Sequence, residues 1–265
     1  MDLDERTIAS GDGVTIAFDV CGDGAPALVF VHGWSGRRGH WDLQLDDFAN
    51  RHTVVRLDLA GHGASGTDRR EWTLAAFAAD AVAVCDALAL ESMILIGHSL
   101  GGSVIALAAG QLDDRVVGLI GVDTWSALGV RQTTEQTEAS ILLPGMRADY
   151  EAASRRFAQM MCGPSTDAAL ANRIADEAAE MPPHIAIAIL EAAIQQGPDD
   201  IEQALREIDV PLSAISSATF RPKDPSVMAS FGIHNVVMPG TGHYLMLEQP
   251  DTFNHALAAA VARSN

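Results

Sequence analysis

Met93-Ile94-Leu95-Ile96-Gly97-His98-Ser99-Leu100-Gly101-Gly102 is the stretch on which the fold turns. Met93 to Ile96 is a short continuous apolar run, the pattern of a strand buried on both faces. Gly102-Ser103-Val104-Ile105-Ala106-Leu107-Ala108-Ala109 follows and is small and helix-compatible. Between them, G-x-S-x-G puts Ser99 at a sharp strand-to-helix turn, and that context gives the pentapeptide its meaning. Glycine suits a turn this tight, because a Cβ at the flanking positions would strike the neighbouring strand or helix. The serine itself is expected in a strained backbone conformation. Its hydroxyl then projects above the sheet, over a helix N-terminus whose free N–H groups favour negative charge. A chain with 23 glycines can produce the five letters by chance; it is the flanking strand and helix that set this copy apart.

Outward from that turn, strands and helices alternate. Arg6–Ala9 and Val14–Val20 read as a hairpin joined by Ser10-Gly11-Asp12-Gly13. Ala27–Val31 is a buried strand ending in His32-Gly33-Trp34, and a helix is expected around Trp41 to Phe48. The strand His52–Leu57 runs into the glycine-punctuated Asp58-Leu59-Ala60-Gly61-His62-Gly63. Residues 73–88 have apolar side chains at helical spacing, with Thr73 placed to cap them. Val116–Val122 is a further apolar strand, ending at Asp123. From Thr124 to Glu207 no strand pattern occurs. Helical patches at 149–161, 167–180 and 184–196 are punctuated by Pro144-Gly145, Gly163-Pro164, Pro182-Pro183 and Gly197-Pro198. The strand rhythm resumes at Pro211–Ser216 and His234–Met238, followed by Gly240-Thr241-Gly242-His243 and a last helix opened by Pro250. This order predicts a mostly parallel, doubly wound α/β sheet. Its core would be residues 1–123 and 208–265, with 124–207 a helical cap. Ligands of such sheets bind beyond the carboxyl ends of the strands. His32, Asp58, Ser99, Asp123 and His243 all fall there.

Composition narrows the partners. The 265 residues are 48% hydrophobic, ample for one large core. With 35 acidic against 17 basic residues, the net charge is −18. Nucleic acid and anionic membranes require a basic footprint, so neither is expected as a partner. A neutral, partly apolar small molecule is the expected substrate. No apolar run reaches the length of a membrane span, and Met1-Asp2-Leu3-Asp4-Glu5 is too acidic for a secretory signal. Cys21, Cys85 and Cys162 are far apart and odd in number, with no metal-ligand spacing; a reducing, cytoplasmic setting is expected.

His32-Gly33-Trp34, Asp58-Leu59-Ala60-Gly61-His62-Gly63, Gly97-His98-Ser99-Leu100-Gly101-Gly102 and Gly242-His243 together resemble the α/β-hydrolase fold family, in order and in spacing. The resemblance spans nearly the whole chain. It is closest to the capped, cofactor-independent serine hydrolases, among them small esterases, lactonases, C–C bond hydrolases and non-haem perhydrolases. It implies an eight-stranded sheet and no cofactor or metal. It also implies Ser99 as nucleophile, His243 as base, and an oxyanion hole made by the N–H groups of Trp34 and Leu100. His32 would brace the oxyanion loop, while His98 and Trp125 would line the pocket.

The acid of the relay is where the chain departs from most relatives. They carry it after the penultimate strand. Counted from Pro211, that place holds Phe220, and the nearest carboxylate is Asp224, beyond Pro222. A minority of relatives place it after the preceding strand, and Asp123 stands at that strand's end. Asp123 is therefore the first choice and Asp224 the alternative.

Three functions fit. The leading one is a serine hydrolase that cleaves a small carboxylic ester or lactone through an acyl-enzyme. A second is a cofactor-independent dioxygenase of the same fold, although Ser35-Gly36-Arg37-Arg38-Gly39 lacks the histidine such relatives carry after the oxyanion tryptophan and only His40 lies near. A third is a ligand receptor with vestigial hydrolysis. Met146, Met160, Met161 and Met181 offer either an adaptable apolar roof or ordinary core packing.

Overall fold

The computed structural model describes residues 3–129, 138–219 and 224–264. Eight strands form one sheet: β1 (Asp4–Ala9), β2 (Thr15–Cys21), β3 (Ala27–Val31), β4 (Val54–Leu57), β5 (Met93–His98), β6 (Val116–Val122), β7 (Leu212–Ser217) and β8 (Ile233–Met238). Their spatial order is β1-β2-β4-β3-β5-β6-β7-β8. β2 is antiparallel to both β1 and β4, and the strands from β4 to β8 are parallel. The expected sheet is thus present, with its antiparallel hairpin at one edge.

The central strands are apolar throughout because both faces are covered. On β3, Val29 and Val31 enter one core with Phe77 and Val84 of α2 (Leu74–Ala87) and Val104 and Ile105 of α3 (Leu100–Leu112). Leu28 and Phe30 enter the other, against Trp41, Phe48 of α1 (Leu45–Phe48), and Phe253 and Leu257 of α10 (Pro250–Val261). β5 divides in the same way, with Met93 and Leu95 on one side and Ile94 and Ile96 on the other. Each such side chain fully buried contributes roughly 1.5–3 kcal/mol. Thr73 caps α2 as expected, its side chain accepting from the Ala76 N–H.

Among the described residues four helices lie between β6 and β7: α4 (Glu138–Ala148), α5 (Tyr150–Met161), α6 (Ala168–Ala179) and α7 (Pro183–Glu207). Two expected breaks are not breaks. Pro144 lies inside α4, and α7 runs through Gly197-Pro198. Tertiary packing outweighs local propensity here, since α7 packs on α4 and α3. Met146, Met161 and Met181 are buried, whereas Met160 is 72% exposed and belongs to no roof. The segment expected as one helix around Trp41 begins as a 3₁₀ turn over Arg38–Gln44 and becomes α1. Two short helices, α8 (Pro225–Ser230) and α9 (Leu245–Glu248), complete the fold. No helix among the described residues is long and apolar enough to cross a membrane.

Candidate active site

Register brings the strand ends together. Gly97 pairs with Gly121 and His98 with Val122, and Val122 pairs in turn with Ile215. The ladder continues one rung past the strands, the Ser99 N–H donating to Val122 O at 3.0 Å and the Asp123 N–H to Ile215 O at 2.8 Å. Ser99 and Asp123 therefore sit side by side at the carboxyl edge of the sheet.

Ser99 has φ 53° and ψ −120°, outside the regions L-residues prefer. The turn is tight enough to exclude side chains. A Cβ on Gly97 would lie 2.3 Å from Gly101 O, and one on Gly101 would lie 2.5 Å from Val31 O. Among the described residues six non-glycines have positive φ, and four of them are Ser35, Ser99, Asp123 and Trp125. Strain of this kind costs about 1–3 kcal/mol per residue and persists where the surroundings over-determine it.

Asp123 and His243 meet. His243 Nδ1 donates to Asp123 Oδ2 at 2.7 Å, and the Asp123 side chain is fully buried. The other carboxylate oxygen, Oδ1, accepts from the Ser217 N–H at 2.6 Å, and the Ser217 hydroxyl donates to Oδ2 at 3.2 Å. Ser217 ends β7, the strand expected to carry the acid in most relatives; here its end holds Asp123, which follows the neighbouring strand β6. Asp224 is exposed, and its side chain caps α8 by accepting from the Ser226 N–H. Phe220 lies outside the described residues.

The loop after β3 lies against the serine. A Cβ on Gly33 would stand 2.9 Å from Ser99 Cβ, so the Trp34 amide follows directly on the backbone that touches the nucleophile candidate. Leu100 is the first residue of α3. The Trp34 indole N–H donates to Ala186 O of α7 at 3.1 Å, and its ring meets Phe157 of α5 edge-on. His32 and His62 brace this loop. His32 Nδ1 donates to Gly33 O and its Nε2 accepts from the Leu59 N–H. His62 Nε2 accepts from the Ser35 N–H while its Nδ1 donates to Ala60 O. Burial pushes both imidazoles down to about 3, so they stay neutral at ordinary pH. Asp58 organises the adjoining loop by accepting from the N–H groups of Arg38 and Ala64.

His98 and Trp125, expected along the pocket, are both buried with their N–H groups committed. His98 Nε2 donates to the His243 carbonyl at 2.9 Å. Burial, and the nearby His243 ring, push His98 far below the usual imidazole range. The Trp125 indole donates to Gly102 O at 3.2 Å. His40 pairs with Glu177 of α6 at 3.0 Å, and Arg37 with Glu180 at 2.6 Å. A cavity of about 310 Å³ opens beside these pairs, lined by Ser35, Arg37, His62, Glu177 and Met181; neither Ser99 nor His243 lines it.

Ser217 and Met161 contribute without a signal in the sequence. Ser217 looks like an ordinary strand residue until its N–H meets Asp123, 94 positions away. The Met161 carbonyl at the end of α5 accepts the His243 N–H at 2.7 Å, a backbone contact no side-chain pattern announces.

Residues 28–256 match the profile of the alpha/beta hydrolase family. This protein is a member of the alpha/beta hydrolase family. Over 251 residues it is 24% identical to 3-oxoadipate enol-lactonase 2 of Acinetobacter baylyi, covering 91% of this chain and 90% of that protein. It is 36% identical over 111 residues to a dihydrolipoyllysine-residue acetyltransferase component of the acetoin cleaving system of Cupriavidus necator. That match covers 42% of this chain and only 30% of the longer protein. Among solved structures, a thermophilic esterase from Thermogutta terrifontis superposes with a TM-score of 0.83 at 22% identity, over 98% of this chain and 99% of that one. For this family member, that likeness speaks to the fold.

Proposed function

We propose that this alpha/beta hydrolase cleaves small carboxylic esters or lactones through an acyl-enzyme, with Ser99 as nucleophile, His243 as base and Asp123 as orienting acid. The observation that carries the reading is the buried Asp123–His243 hydrogen bond of 2.7 Å at the sheet edge that also holds Ser99 in its strained turn. Asp123 accepts the Nδ1 proton of His243, which makes Nε2 the ring nitrogen that takes a proton.

Ser99 Oγ attacks the acyl carbon as its proton passes to His243 Nε2. The carbonyl oxygen gains the negative charge, and the amides of Trp34 and Leu100 are the donors that receive it. Such fixed donors are each worth about 3–4 kcal/mol in the transition state. The imidazolium, stabilised by Asp123, returns its proton to the departing alkoxide. Water repeats the sequence on the acyl-enzyme and frees the acid and Ser99. In a lactone the leaving alkoxide stays attached to the acyl group, and one hydroxy acid is released.

A series of short p-nitrophenyl esters and of lactones of graded ring size, assayed with the native protein and Ser99→Ala, tests the reading. Loss of turnover on replacing Ser99, with an acyl adduct on the native protein by mass spectrometry, is the expected result. Undiminished turnover in Ser99→Ala sinks it.

A further inference from the structure

The loop that carries His243 is held by more than its ring. Glu248, at the end of α9, turns its carboxylate back over the loop. Oε2 accepts from the Gly242 N–H at 2.8 Å, and Oε1 from the Tyr244 N–H at 3.2 Å. Oε2 also accepts from the Gly163 N–H at 3.2 Å, two residues beyond the end of α5. Between these bonds, the His243 N–H is taken by Met161 O and its carbonyl by His98 Nε2. The two loops meet backbone to backbone. A Cβ on Gly242 would lie 2.2 Å from Gly163 N, and a Cβ on Gly163 would lie 2.6 Å from Gly242 N.

We propose that Glu248 is a positioning residue for His243, and that through its bond to Gly163 the end of α5 sets where the imidazole stands. The proposal rests on the reading of His243 as the base. A carboxylate is the group that three converging N–H donors require, since it is acceptor-only and its charge strengthens each bond. Glutamine offers one oxygen and turns an NH₂ toward at least one of those donors. Aspartate, one methylene shorter, cannot span from α9 to both loops. Glu248 touches the amides on either side of the base and not the reacting atoms, so its loss should slow the chemical step and leave substrate binding nearly unchanged.

The test compares the native protein with Glu248→Gln, Glu248→Ala and Gly163→Ala. It measures kcat and KM on a short p-nitrophenyl ester, thermal unfolding, and the far-downfield NMR resonance of the proton shared by His243 Nδ1 and Asp123. Misplacing a catalytic group by about 1 Å costs roughly 100-fold. We expect kcat to fall about 10- to 100-fold with KM within about twofold. The resonance should shift or vanish in Glu248→Gln and in Gly163→Ala alike. A merely structural glutamate would lower the unfolding temperature and leave the resonance and kcat of the folded protein in place; that result overturns the proposal. So does failure of Glu248→Gln and Gly163→Ala to fold at all, which would make the contact one of general stability. If Ser99→Ala retains turnover, the hydrolase reading falls on its own, while the resonance still reports whether Glu248 places His243.

Discussion

Asp123 and His243, 120 positions apart in the chain, share a hydrogen bond of 2.7 Å whose acceptor is completely buried. Asp123 follows β6 and His243 follows β8, with β7 between those strands in the sheet, and the end of β7 at Ser217 holds the Asp123 carboxylate. Replacing Asp123 with asparagine keeps the shape but offers an NH₂ group where an acceptor is needed, which favours the wrong imidazole tautomer. A loss of about 10⁴-fold in kcat is expected, by analogy with other relays of this type. Asp224→Ala should leave kcat unchanged and cost roughly 1 kcal/mol of stability through the lost cap of α8. Ester turnover of the two variants measured side by side decides between the carboxylates: if Asp224→Ala is the crippled one, the relay drawn here is wrong.

Ser217 should matter less. Ser217→Ala removes the hydroxyl at 3.2 Å from Asp123 Oδ2 but keeps the N–H at 2.6 Å from Oδ1. One hydrogen bond of this kind is worth about 0.5–1.5 kcal/mol, so kcat should fall about three- to tenfold. A drop as large as that of Asp123→Asn would mean that the hydroxyl, and not the backbone, is what holds the acid.

The candidate site residues are legible in the sequence because they stand where strands end. Ser99 and Asp123 are each the first residue beyond a strand, and His243 follows the last strand by five positions. The choice between Asp123 and Asp224 was less legible, because either strand end reaches the histidine loop and a sequence carries no distances. Ser217, Met161 and Glu248 were invisible for a different reason. Each acts on or through backbone groups brought close by the fold, and such contacts impose no residue pattern along the chain. At Gly197-Pro198 the local pattern favours a break, yet α7 runs through it, packed against α3 and α4.

Burial of neutral histidines predicts acid sensitivity. His32 and His62 are held down to about 3 by burial, against roughly 6.5 in an unfolded chain. Between those values the unfolded state binds more protons than the folded one. Their contribution is therefore complete above about pH 6.5 and is lost as the pH falls toward 3, by about 1.4 kcal/mol per pH unit for each. Urea unfolding measured between pH 6 and pH 4 should show this slope. His62→Asn should flatten it by about 1.4 kcal/mol per unit. An identical slope in the variant would mean that His62 is protonated in the folded protein.

Two glycines of the same helix should respond oppositely to alanine. In Gly101→Ala the new Cβ would stand 2.5 Å from Val31 O and 2.6 Å from His32 O, backbone atoms that cannot swing aside. Overpacking of this kind costs about 1–3 kcal/mol, which for a chain of this size is a fall of roughly 2–10 °C in Tm. The strand end it pushes on carries Gly33 and Trp34, so the Trp34 amide, proposed above as an oxyanion donor, should move and kcat should fall more than KM rises. Gly110, near the other end of α3, is exposed and a Cβ there would meet nothing within 4 Å. Gly110→Ala should gain up to about 1 kcal/mol from helix propensity and keep native kinetics. Thermal melts and ester kinetics on the pair separate close approach at the turn from a general intolerance of alanine in the helix. A Gly101→Ala protein as stable and active as Gly110→Ala would mean that the turn at Ser99 is looser than the contacts around it require.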